Sequence, residues 1–192
     1  AGDRRPRPQP VGPKTGATAS QRLSDNTQQA RLLPIPYFHV VFTVPHALNA
    51  LIRVNQRRLY AALFQAAVAT LRTFARDPKH LGAEIGVTAV LHTWSQTLAD
   101  HIHLHCIVTG GGLTPDGTRW RRSKYRRFLF PVRALAAVFR GKYLAQLAAA
   151  ARRQPLTFAG PSAALREPGA WQTLLAHLYA TPWYVYAKAP LA

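Results

Sequence analysis

Apolar and polar positions alternate through Tyr37-Phe38-His39-Val40-Val41-Phe42-Thr43-Val44, a run bounded by Pro36 and Pro45. Period-two alternation among β-branched and aromatic residues predicts a strand. One of its faces, Phe38, Val40, Phe42 and Val44, is wholly apolar; the other carries Tyr37, His39, Val41 and Thr43. The period then lengthens. Over residues 48–75, Leu51, Leu59, Leu63, Phe64, Ala67, Leu71 and Phe74 recur at helical spacing, and Asp77-Pro78 ends the helix. Residues 86–96 and 100–108 read as two further strands, and the short link around 97–100 pairs them antiparallel. Gly110-Gly111-Gly112 and Pro115-Asp116-Gly117 are turn signals. Helices are predicted over about 132–151 and 167–179, and a last strand at Trp183-Tyr184-Val185-Tyr186. Strands separated by long helical inserts predict an α+β fold, a mainly antiparallel sheet flanked by helices. Residues 1–30, with Pro6, Pro8, Pro10 and Pro13 and almost no bulky apolar side chain, are expected to form a disordered basic tail. The ordered domain is expected over 31–192.

Candidate chemistry concentrates in His101-Ile102-His103-Leu104-His105-Cys106-Ile107-Val108. On a strand His101, His103 and His105 share one face, while Ile102, Leu104 and Cys106 pack on the other. Neighbours on one face lie about 7 Å apart, so two imidazoles can tilt towards one cation at metal–nitrogen distances of about 2.1 Å. A row of solvent-facing histidines is the plain alternative, and the wholly apolar opposite face favours the metal. His92, Trp94 and Gln96 share a face of the preceding strand, so pairing would bring His92 or Gln96 near the site; either residue is equally at home as an ordinary sheet residue. Glu84 and Asp100 are the only acids in the twenty residues upstream, which excludes a carboxylate-rich two-metal site. Glu84 is expected in the turn before its strand.

A second segment combines charge and rings. Arg119, Arg121, Arg122, Lys124, Arg126 and Arg127 are interleaved with Trp120 and Tyr125. Cations neutralise backbone phosphates and aromatic faces stack on unpaired bases, a combination suited to a single-stranded nucleic-acid groove. A solvated charged face is the simpler reading of such a run. The whole-chain balance supports the first: 25 Lys+Arg against 7 Asp+Glu give +18 over 192 residues, which calls for a polyanionic partner. With one cysteine, Cys106, there is no internal disulfide framework and no Cys-rich zinc module. No apolar run approaches the roughly 20 residues of a membrane span, and the N-terminus lacks a secretory signal, so a soluble cytoplasmic protein is expected. The chain begins at Ala1 and contains no Met, which fits an excised initiator or a piece of a longer reading frame.

Four stretches resemble a known family: Leu33-Pro34-Ile35-Pro36-Tyr37-Phe38-His39-Val40-Val41-Phe42-Thr43-Val44-Pro45-His46; Asp77-Pro78-Lys79-His80-Leu81-Gly82-Ala83-Glu84-Ile85-Gly86; Val90-Leu91-His92-Thr93-Trp94-Ser95-Gln96 running on to His101–Cys106; and Trp183-Tyr184-Val185-Tyr186-Ala187-Lys188. They are similar to the HUH rolling-circle transposases of the insertion-sequence-ninety-one, two-tyrosine type. The resemblance implies that His103 and His105, the His-hydrophobic-His motif, hold a divalent cation, Mg²⁺ or Mn²⁺, against the scissile phosphate. It also implies an HUH endonuclease-like core and a partner in DNA, preferably single-stranded, which the intact family nicks by forming a phosphotyrosine. Ile102 stands where the family has proline. No Cys-rich zinc module is present, and of Tyr37, Tyr60, Tyr125, Tyr143, Tyr179, Tyr184 and Tyr186 no two are four apart, whereas the family nucleophiles form Tyr-x-x-x-Tyr on a helix. The expectation is therefore an incomplete transposase core that lacks the tyrosine helix and a third metal ligand from it, binding DNA and metal without cleaving. A stand-alone basic single-stranded DNA-binding module is the alternative. A phosphodiesterase using water in place of tyrosine is a more remote one.

Overall fold

The computed structural model describes residues 33–94, 100–125 and 129–190; the expected tail over 1–30, together with Gln96, Arg126 and Arg127, lies outside them. All regular elements belong to one unit, Ile35–Ala192. Strand β1 is Tyr37–Thr43, and its burial alternates as the sequence pattern requires. A 3₁₀ turn at His46–Leu48 leads into α1, Asn49–Val54, and α2, Gln56–Arg76. Strands β2, Glu84–Trp94, and β3, Asp100–Leu113, form the expected antiparallel pair. β4, Trp120–Arg122, is short; α3 is Val132–Arg153, a 3₁₀ segment spans Gly160–Arg166, α4 is Ala170–Ala180 and β5 is Tyr184–Ala187. The sheet order is β2-β3-β1-β5, antiparallel throughout, with β4 pairing the far end of β3. This is the expected α+β architecture.

One face of the sheet is the core. Phe38, Val40 and Phe42 of β1 and Ile102, Leu104, Cys106 and Val108 of β3 are buried with Leu63, Leu71 and Phe74 of α2 and Leu135, Phe139 and Tyr143 of α3. Burial pushes the Cys106 thiol up to about 12, so it is a packing residue on the face away from the histidines. The opposite face is open: Val90, Trp94, Tyr184 and Tyr186 project from it, all more than half exposed.

Three expectations need correction. The helix expected over 48–75 is broken at Asn55, whose backbone (φ −132°, ψ 32°) is not helical. The buried Asn55 amide donates to Leu51 O (3.0 Å) and Thr157 O (2.8 Å) and accepts from Thr157 N (2.9 Å). The break is thus set by a partner about a hundred residues away, outside the reach of local periodicity. Because Asn55→Ala leaves the Thr157 backbone groups unpartnered, it is expected to cost about 2 kcal/mol in urea unfolding; an unchanged midpoint would show the clamp to be idle. Glu84 is not in a turn but opens β2, its carboxylate paired with Arg76 at the end of α2. The glycines Gly110–Gly112 are likewise not a turn; they lie inside β3, where neighbouring backbones approach too closely for a side chain. A Cβ on Gly110 would stand 2.7 Å from Pro36 O, and one on Gly112 would stand 2.6 Å from the Glu84 carbonyl carbon. Part of the basic segment, to which the sequence pattern assigned no element, is a strand, β4. The Pro115-Asp116-Gly117 turn is present, with Gly117 at φ 70°.

Candidate metal centre

Three strands bring histidines onto the open face. Alternation along β3 turns His101, His103 and His105 to the same side, each half-buried, while Ile102, Leu104 and Cys106 anchor the strand in the core. The β2–β3 register sets His92 opposite His103, and the β1–β3 register sets His39 opposite Ile107, diagonal to His105. One ring nitrogen from each of His92, His103 and His105 lies within 4.8 Å of the other two. The ring centroids are 5.4 Å apart for His92–His103, 4.2 Å for His92–His105 and 4.8 Å for His103–His105.

Hydrogen bonds orient two of these rings. His103 Nδ1 lies 2.6 Å from His101 O. A carbonyl only accepts, so Nδ1 carries the proton and Nε2 keeps its lone pair. His105 Nδ1 lies 2.7 Å from His39 Nε2, with the rings stacked at 4.9 Å. Its other nitrogen, Nε2, is buried and has no hydrogen-bond partner among the described residues. Burial, then the neighbouring His92, His103 and His39, lower the His105 pKa to about 4. His39 is lowered too, by burial and then by Lys188. His105 is therefore neutral at neutral pH, the state in which imidazole binds a metal, and protons compete weakly for it.

An orphaned buried nitrogen beside two further imidazole nitrogens is a donor set that fits a cation, and among the described residues no other group satisfies it. His101 is outside the trio. Its ring contacts His103 at 4.9 Å and His46 at 5.4 Å, and burial followed by these two neighbours lowers its pKa. Of the additional candidates, His92 is the one that the sheet brings beside His103 and His105, from β2. His39 was visible on the mixed face of β1, but only the register across β1 and β3 reveals its contact with His105.

The basic aromatic segment lies elsewhere. β4 pairs with Gly111–Leu113, six residues along β3 from His105, so about 20 Å separate it from the trio. Trp120 is half-buried against Gly111, a Cβ of which would stand 2.7 Å from the indole nitrogen. Arg121 reaches Leu81 O at 3.5 Å and Lys124 donates to Lys79 O at 2.7 Å, while Arg119 and Arg122 are exposed. Tyr125 is 53% exposed. Of the rings proposed to stack on bases, only Tyr125 presents much of its surface.

Among the described residues no helix is long and apolar enough to cross a membrane. A protein-family model described as "Putative transposase" matches residues 86–192. The chain is 49% identical over 173 residues to "Putative transposase y4qJ" of Sinorhizobium fredii, covering 90% of this chain and 43% of that protein. It is 37% identical over 100 residues to "Transposase for insertion sequence element IS801" of Pseudomonas savastanoi pv. phaseolicola, covering 52% of this chain and 23% of that one. The chain thus spans less than half the length of either relative. Among solved structures, the metal-bound form of the conjugative relaxase TrwC with oriT DNA overlays with a TM-score of 0.48 at 16% identity, covering 66% of this chain and 47% of that one. The metal-free form gives 0.47 at 17%, covering 58% and 43%. The family match extends over more than half of the sequence and includes the whole histidine strand, and the chain belongs to this transposase family.

Proposed function

We propose that this chain is the metal-binding, DNA-contacting core of a transposase for rolling-circle transposition, and that by itself it binds single-stranded DNA without cutting it. The observation that carries the reading is the trio His92, His103 and His105, with its buried, unpartnered His105 Nε2. A divalent cation bound there supplies a Lewis acid that polarises a phosphodiester oxygen. The protein's own part is to hold three imidazoles together on one face. β3 aims His103 and His105, β2 adds His92, the His101 carbonyl takes the Nδ1 proton of His103, and His39 holds the His105 ring through Nδ1. Of the two ions that the family resemblance implies, an all-imidazole set favours Mn²⁺ over Mg²⁺, which prefers carboxylate and water oxygens. DNA binding is supported by the +18 charge and by the exposed Arg119 and Arg122 with Lys124 on and beside β4. The absence of cleavage is supported by the sequence, in which no tyrosine pair has the Tyr-x-x-x-Tyr spacing.

The test has two readouts. Chelator-stripped protein is expected to gain thermal stability on adding Mn²⁺, and much less with Mg²⁺. Incubated with labelled single-stranded DNA and Mn²⁺, it is expected to form a complex but neither a covalent adduct nor a shortened strand. Either product would overturn the claim of lost cleavage, and the absence of any Mn²⁺ shift would remove the metal centre.

A further inference from the structure

Beside the trio, the open face carries a feature that metal binding does not use. Tyr184 and Tyr186 project from β5, 72% and 57% exposed. Among the described residues neither ring stacks on another and neither phenol has a hydrogen-bond partner. The register aligns them with the histidines: Thr43 of β1 lies between His103 and Tyr184, and Val41 lies between His105 and Tyr186. Two strand spacings, about 10 Å, separate each tyrosine position from its histidine, and the two tyrosines are about 7 Å apart along β5. Tyr184 also walls an apolar pocket of about 300 Å³ with Val44, Pro45, Pro182 and Trp183, bordered by His46 and His101.

The charge of this face narrows what can cover it. Among the residues whose side chains are described, the one carboxylate on β1, β2, β3 and β5 is Glu84, eight residues along β2 from His92 and paired with Arg76, and Lys188 follows β5 next to His39. A ligand that matches it has flat apolar faces joined by anionic links. We infer that the β5 edge is a base-stacking platform, on which successive unpaired bases of one DNA strand lie over Tyr186 and Tyr184 while their phosphates run past His105 and His103. Exposed aromatics on an antiparallel sheet can engage bases in this way only when the bases are unpaired, because a duplex keeps their faces covered. The inference rests on the DNA-binding reading above and adds how the strand is gripped and why a single strand is chosen. It also gives the two β5 tyrosines a role that needs no nucleophile.

Fluorescence anisotropy with labelled oligothymidylate, an abasic strand of equal length and a duplex separates the possibilities. Stacking is worth about 1–3 kcal/mol per base, so Tyr184→Ala and Tyr186→Ala are each expected to weaken oligothymidylate binding between about 5-fold and about 150-fold. Tyr184→Phe and Tyr186→Phe are expected to keep wild-type affinity, and none of the variants is expected to change binding of the abasic strand or the duplex. Both rings are exposed, so melting curves of all four variants are expected to superimpose on wild type. Equal losses on the abasic strand and on oligothymidylate, or no loss on either, would overturn the platform while leaving DNA binding in place. A wild-type chain that binds no DNA would remove both readings. A dimer in sedimentation velocity that Tyr184→Ala dissociates would assign the face to a second copy of the chain instead.

Discussion

His105→Ala is expected to lower Mn²⁺ affinity more than 100-fold in calorimetric titration of chelator-stripped protein. Losing a residue that only orients a ligand typically costs 10–100-fold, and His105 offers a ligand atom directly. The same rule grades the effect of its neighbour. His39→Ala takes away the group 2.7 Å from His105 Nδ1 and is expected to cost about 10–100-fold. His39→Asp, which supplies an acceptor there, is expected to recover most of the loss. Cobalt(II) substitution adds an optical check, since the visible d–d bands report ligand number and geometry independently of any activity. Melting curves in chelator serve as the control for folding. Unchanged affinity in His105→Ala would remove this histidine from the ligand set, and an unrecovered His39→Asp would show that β1 contributes packing alone.

Gly112→Ala is expected to destabilise the fold by about 3 kcal/mol or more in urea or thermal unfolding. Most overpacking can be relieved by a rotating side chain, but the atoms facing a Gly112 Cβ are Glu84 O and the Glu84 carbonyl carbon, which are backbone of the paired strand. Relief would require β2 and β3 to part at the residue that also pairs with Arg76. Gly141→Ala provides the opposite sign. It lies within α3 with nothing within 4 Å of an added Cβ, so alanine is expected to stabilise by about 0.5–1 kcal/mol. If both glycines responded alike, close backbone approach would not be the reason for Gly112.

What was legible in the sequence followed from local period. The alternation of Phe38, Val40 and Phe42 gave β1 and its buried face, and the same alternation put His103 and His105 together on one side of β3. Contacts between distant segments were not legible. Asn55 sits in a helical pattern and breaks the helix because Thr157 receives it. The three successive glycines have turn composition, and only the arrival of Pro36, Glu84 and Arg121 beside them shows why side chains are excluded there. His92 and His39 were visible as residues of the correct face, but their pairing with particular histidines depends on strand register, and a slip of one residue would send them to the other side. The basic segment was legible as charge but not as location, which the pairing of β4 with the far end of β3 from the trio sets.

The strand order has a consequence for how the chain is made. β1 is central, flanked by β3 and β5, yet of the five described strands it is the first to leave the ribosome. Its second edge stays unpaired until Tyr184–Ala187 has been synthesised, about 140 residues later. At roughly 5–20 residues per second that is a wait of about 7–30 s, during which an apolar strand offers open backbone groups to any other chain nearby. Growing chains that reach β3 early cover one edge through His103–Thr109, and the remaining exposure falls on the Val40–Thr43 edge that β5 closes last.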